Sequence, residues 1–136
     1  MLAVVDAGPL YAAADETDAN HQVALETLER TDLELVIPAL VVAETTYLIG
    51  RRLGAAAEAR FLGALADHDV EGPTAADWPR IAELVEEYGD FPLGGTDASI
   101  VALAERLDTD TVITFDRRHF AAIRPLHRPA LTLLPE

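Results

Sequence analysis

The sequence predicts an α/β fold in three layers, with helices on both faces of a central, mainly parallel sheet of four to five strands. Two observations carry this. Short apolar runs alternate with longer helical segments along the chain, and the runs are continuously apolar rather than alternating, as in strands covered on both faces. With 136 residues, half of them hydrophobic, the chain can build a real core and is too apolar for disorder. No linker, repeat or low-complexity tract divides it, so residues 1–136 are read as one domain.

Leu2 to Val5 is the first strand, closed by Asp6-Ala7-Gly8-Pro9. Helix follows in two pieces. In the second, His21, Ala24, Leu25 and Leu28 fall at helical spacing behind Asp18 as a cap. Leu35 to Ile37 is the second strand, and Pro38 suits the first turn of the helix that runs on to Gly54. Further helices are expected over 55–67 and over 75–89, the latter with Pro79 near its start and Gly89 at its end. Thr96 is the expected N-cap of the next helix, where Ile100, Leu103, Ala104 and Leu107 trace one apolar face. Val112 to Phe115 is the third clear strand, and Leu131 to Leu134 is a candidate for the last. In sheets of this kind the ligand site lies at the carboxyl ends of the strands.

Charge narrows the function. The net charge is −14, and all ten basic residues are arginines. Such a surface disfavours non-specific contact with nucleic acid or anionic membrane, so a polyanionic substrate must be held locally, by metal ions or clustered arginines. A basic partner protein would be attracted. The absence of cysteine removes disulfides, thiol nucleophiles and Cys-ligated zinc. The first residues, with no basic region and an acid at position 6, make a poor signal peptide, and no apolar run approaches the roughly 20 residues of a membrane span. A soluble cytoplasmic protein without membrane contact is expected.

Four acids occupy informative places. Asp6 follows the first strand and Asp116 follows the third, so both emerge at the same sheet edge. Asp97 lies in the first turn of its helix. Glu44 is the lone charge between Pro38 and Gly50, and a lone carboxylate in such a run is costly to bury unless paired or coordinated. Several carboxylates in one pocket repel, and a divalent cation makes the cluster tolerable. Oxygen ligands suit Mg²⁺ or Mn²⁺. Each acid also has a purely structural reading: an Asx-turn for Asp6, the helix dipole for Asp97, a turn cap for Asp116, and a side chain reaching to solvent for Glu44. Taken together, a shared site is the better account.

The segments "VVDAGPLYA", "VVAETTYLI", "DASIVALAERL" and "ITFDRRHF" give the chain a resemblance to the PIN-domain nucleases and, within them, to the VapC-like toxins of bacterial and archaeal toxin–antitoxin pairs. The similarity runs from about residue 2 to about residue 134. It implies a PIN-like fold with Asp6, Glu44, Asp97 and Asp116 as the catalytic acids and Thr114 as the family's small hydroxyl before the last acid. It implies a Mg²⁺- or Mn²⁺-dependent ribonuclease with one or two ions, a homodimer, and a cognate antitoxin that silences it. Asp6, Asp97 and Asp116 are the expected metal ligands, and Glu44 would ligate directly or orient a water. Arg117 and Arg118, with Thr114, are candidates for substrate contact. Arg51 and Arg52, one to two turns beyond Glu44, are a second candidate patch, and all four arginines also read as solvated charges. His119 reads as a packing or capping residue, and Asp90 as the start of a turn. Tyr47 and Trp78 read as core or dimer contacts. The alternative is a catalytically inactive PIN-like binding module, which loss of one acid would mark; all four are present. An aspartyl phosphatase or a receiver domain needs a lysine that the chain lacks.

Overall fold

A computed structural model describes residues 1–136. The strands are β1 (Leu2–Val5), β2 (Glu34–Pro38), β3 (Asp69–Glu71), β4 (Thr111–Ile113) and β5 (Thr132–Leu134). They form one all-parallel sheet in the order β3-β2-β1-β4-β5. The helices are α1 (Ala7–Ala14), α2 (His21–Leu28), α3 (Ala39–Leu53), α4 (Ala55–Ala64), α5 (Asp77–Glu87), α6 (Gly95–Arg106) and α7 (Arg117–Ala122). The chain steps from β1 through β2 to β3 in one direction, then returns past β1 to β4 and β5. Right-handed crossovers therefore place α1–α4 on one face and α5–α7 on the other.

Burial follows that layering. β1 lies in the middle of the sheet, and Ala3, Val4 and Val5 have no solvent exposure. Seven successive residues of α6, Ala98 to Ala104, are buried, because the helix is covered by the sheet on one side and by α5 on the other. The ion pairs at the α5–α6 seam are forked. Arg80 Nε and Nη2 donate to Glu105 Oε1 and Oε2 at 2.8 and 2.9 Å, and Glu105 Oε2 also accepts from the Leu126 amide at 2.9 Å. No helix is long and apolar enough to cross a membrane.

The expected strands all form, with ends shifted by a residue or two. Strand β3 is an addition: a three-residue edge strand carrying Asp69 and Glu71, with Val70 exposed, has no apolar run to announce it. Helix α7 replaces the turn expected after β4; its Phe120 is fully buried. Gly94, not Thr96, is the N-cap of α6, and the Thr96 carbonyl instead accepts from the Ser99 hydroxyl. Asp18 does not cap α2. Its carboxylate accepts from the Asn20 amide, and Asn20 takes the cap position. The helix expected over 55–67 ends at Ala64 and tightens into a 3₁₀ turn, Leu65–Asp67.

Candidate active site

The sheet order reverses between β1 and β4, and the crevice beyond their carboxyl ends is where α/β sheets bind ligands. Parallel register pairs Val5 with Ile113, so the residues that follow, Asp6 and Thr114, meet side by side. Asp6 caps α1: its Oδ1 accepts from the Ala7 amide at 2.8 Å, and its Oδ2 accepts from the Thr114 hydroxyl at 2.7 Å. Asp6 is 7 % exposed. Burial pushes its carboxyl above the ordinary range, the Thr114 and Ala7 hydrogen bonds hold it back, and the charge of Asp116 adds to the rise.

Thr114 also fixes the other strand end, because its Oγ1 accepts from the Asp116 amide at 2.9 Å. Asp116 caps α7, Oδ1 accepting from the His119 amide at 3.1 Å, while the His119 ring Nδ1 lies 2.6 Å from Oδ2. Asp97 stands in the first turn of α6. Its carboxyl is pushed up to about 6, first by burial and then by the negative charges of Asp6, Asp116 and Glu44, with His119 opposing. Glu44 is solvent-exposed on α3; partial desolvation and the charge of Asp6 raise its carboxyl too.

All four acids singled out in the sequence thus share one electrostatic neighbourhood. No three of them converge as a ready-made cage, as expected of carboxylates that repel one another. The donor set is oxygen only and carries an excess of negative charge, which fits a hard divalent cation such as Mg²⁺ or Mn²⁺.

The basic candidates differ from one another. Arg117 reaches the backbone carbonyls of Leu133 and Pro135, at 3.4 and 2.9 Å, so it ties α7 to the last strand. Arg118 is exposed. The Arg52 guanidinium lies 5.1 Å from the Tyr11 ring centre. Asp90 is exposed in the turn before α6. Tyr47 and Trp78 are 61 % and 49 % exposed, so neither is core. Two features went unread in the sequence: the Thr114 bridge between Asp6 and Asp116, and the contact of His119 with Phe91, whose rings meet edge to face at 5.0 Å. The i, i+3 spacing of Asp116 and His119 is the signal that marks their contact.

A second feature lies along α1. An apolar groove of about 620 Å³ runs between α1, α2, α4 and β2, lined by Leu10, Leu25, Phe61 and Leu65 together with Glu16, Glu29 and Arg60.

Comparison with known proteins agrees with this architecture. The PIN domain family profile matches residues 3–125. Ribonuclease VapC26 of Mycobacterium tuberculosis is 35 % identical over 134 residues, covering 97 % of this chain and 99 % of that protein. Among solved structures, VapC20 of Mycobacterium tuberculosis, a sarcin-ricin loop cleaving toxin, superposes with a TM-score of 0.76 at 20 % identity, covering 81 % of this chain and 86 % of that one. A toxin–antitoxin complex from Klebsiella pneumoniae gives 0.71 at 22 % identity, covering 96 % and 99 %.

Proposed function

The chain belongs to the PIN-domain family, and from that premise we propose that it is the ribonuclease toxin of a toxin–antitoxin pair, with residues 1–136 acting as one nuclease domain. The observation that carries the reading is Asp97 in the first turn of α6, whose carboxyl is raised to about 6 first by burial and then by the charges of Asp6, Asp116 and Glu44. Four acids held against their own repulsion at a sheet switch point suit a cation-dependent phosphodiesterase.

Asp6, Asp97 and Asp116 would hold one or two divalent ions. Such an ion would lower the pKa of a water and offset the negative charge that grows on the phosphoryl and leaving oxygens. Asp6 and Asp116 are fixed in place through Thr114, which limits the reorganisation needed to receive an ion. Glu44, at the solvent side of the cluster, would ligate directly or orient the attacking water through its carboxylate. Arg118 offers a forked donor to an RNA phosphate at this edge.

The partner is an antitoxin. With a net charge of −14, the chain attracts a basic segment. Helix α1 starts at Asp6 and lines the groove with Leu10, Ala13 and Ala14, so an apolar antitoxin segment seated there is led toward the acids. A lysine or arginine it delivered would substitute for cation charge. A homodimer fits the exposed stripe Trp78, Ala82 and Val85 on α5. The protein works in the cytoplasm, where its RNA substrate is found.

The test is cleavage of total RNA with Mg²⁺ or Mn²⁺ and with chelator. The wild type should cut only with the ion, and Asp97→Asn should not cut. Ion binding without cleavage would point to a binding module instead.

A further inference from the structure

The site has a fifth participant. Asp116 gives both carboxylate oxygens to one residue: Oδ1 accepts from the His119 amide at 3.1 Å, and Oδ2 lies 2.6 Å from His119 Nδ1. An ionised carboxylate has no proton to give, so Nδ1 is the donor in either charge state of the ring. Two hydrogen bonds fix the rotation of the carboxylate about its own axis. A carboxylate offers about four lone-pair directions, so two remain free for a ligand.

The imidazole is itself held. Its ring meets Phe91 edge to face, centroids 5.0 Å apart at 78°. Phe91 lies in the turn that leads into α6, the helix bearing Asp97. His119 is only half-buried, with 27 % of its side chain exposed. A solvent-facing imidazole clamped on one side by a carboxylate and on the other by an aromatic edge does little for the core. It ties the Asp116 strand end to the loop that supplies Asp97.

We propose that His119 is a positioning residue for the cation site: its Nδ1–H sets the orientation in which Asp116 presents its carboxylate, and its ring keeps that carboxylate in register with the α6 segment. The inference rests on the reading of the four acids as a cation site. Partners of this kind, donating to a ligating carboxylate, commonly change metal affinity by about 10- to 100-fold when removed.

The experiment uses Mn²⁺ alone, titrated by calorimetry into the full chain without RNA, for the wild type, H119A, H119N and Asp97→Asn. The asparagine amide places a donor near the position of Nδ1. H119A should bind Mn²⁺ about 10- to 100-fold more weakly, and H119N should recover most of the affinity. In RNA cleavage with saturating RNA and limiting Mn²⁺, H119A should need more ion for half-maximal rate, with little change in the KM for RNA. Unchanged Mn²⁺ affinity in H119A overturns the proposal, whatever its melting temperature. If H119A does not fold, H119N decides: affinity near that of the wild type supports the proposal, and a loss as deep as that of Asp97→Asn overturns it. A wild type that binds no Mn²⁺ refutes the cation-site reading itself, which is a different result.

Discussion

The Thr114 hydroxyl donates to Asp6 Oδ2 at 2.7 Å, joining residues 108 positions apart in the chain. Thr114 Oγ1 in turn accepts from the Asp116 amide. One buried hydroxyl thus sets the distance between two acids on neighbouring strands. Thr114→Val keeps the shape and removes the bond. The loss should cost about 1–3 kcal/mol at neutral pH, the typical cost of an unsatisfied buried acceptor. Asp6, already raised by burial, would rise further, so the cost should shrink in acid as Asp6 becomes protonated. Urea unfolding at two pH values measures this; an equal cost at both would refute it.

Asp97 makes stability depend on pH in a defined direction. Its folded value of about 6 lies above the ordinary 3.8, so between those values the folded chain binds more protons than the unfolded chain. Its contribution is fully present below the unfolded value and is lost as pH rises through about 6. Without divalent ion, Asp97→Asn should therefore be more stable than the wild type at alkaline pH, by on the order of 1 kcal/mol once solvent screening of a partly exposed group is allowed for. The difference should close in acid. Added Mn²⁺ should favour the wild type instead. Denaturation with chelator and with ion shows whether the order reverses.

The two arginines behind Asp116 should separate. Arg118→Ala should weaken RNA binding and lower its salt slope by about one, leaving the melting temperature unchanged. Arg117→Ala should lower the melting temperature, because Arg117 holds the carbonyls of Leu133 and Pro135. Filter binding across a salt series, with thermal melts, distinguishes them. An unaltered salt slope for Arg118→Ala would leave it a solvated charge.

Arg80 and Glu105 are 15 % and 11 % exposed at the side chain. Arg80→Ala leaves Glu105 with only the Leu126 amide. Removing one partner from a partly buried pair should cost about 1–3 kcal/mol. Glu105→Gln, which keeps an acceptor, should cost less. Chemical denaturation gives both values, and the reverse ranking would contradict the argument.

Ala57 lines the groove on α4. Ala57→Arg would fill the groove and set a charged side chain against the apolar segment expected there. Affinity for the antitoxin should fall at least about tenfold, or 1.4 kcal/mol. Calorimetry with the purified partner tests it, and unchanged affinity would place the segment elsewhere.

The strands and the site acids were legible for one reason: burial on both faces makes a strand wholly apolar, so the acid at its end stands out. Asp6 and Asp116 are read that way, and Glu44 as the one charge between Pro38 and Gly50. Strand β3 escaped because an edge strand with exposed Val70 buries too little to leave a pattern. Helix α7, six residues beginning with two arginines, is too short for periodicity; the Asp116 cap and buried Phe120 hold it. The pairing of Thr114 with Asp6 depends on the β1–β4 register, which no local run of residues encodes. The groove likewise gathers residues from α1, α2, β2 and α4, each unremarkable in its own segment.

The sheet order also bears on biosynthesis. Asp6 leaves the ribosome among the first residues and Asp116 near the last, yet the β1–β4 pairing makes them neighbours. A nascent chain shorter than residue 116 has no second strand end to offer, and the early strands β1, β2 and β3 can pair without building the site. The four acids therefore come together only after β4 has been made, near the end of synthesis. A chain that stops before residue 116 lacks one of the four acids altogether. The helices that frame the groove, α1, α2 and α4, are by contrast complete by residue 64, well before Asp97 and Asp116 are added.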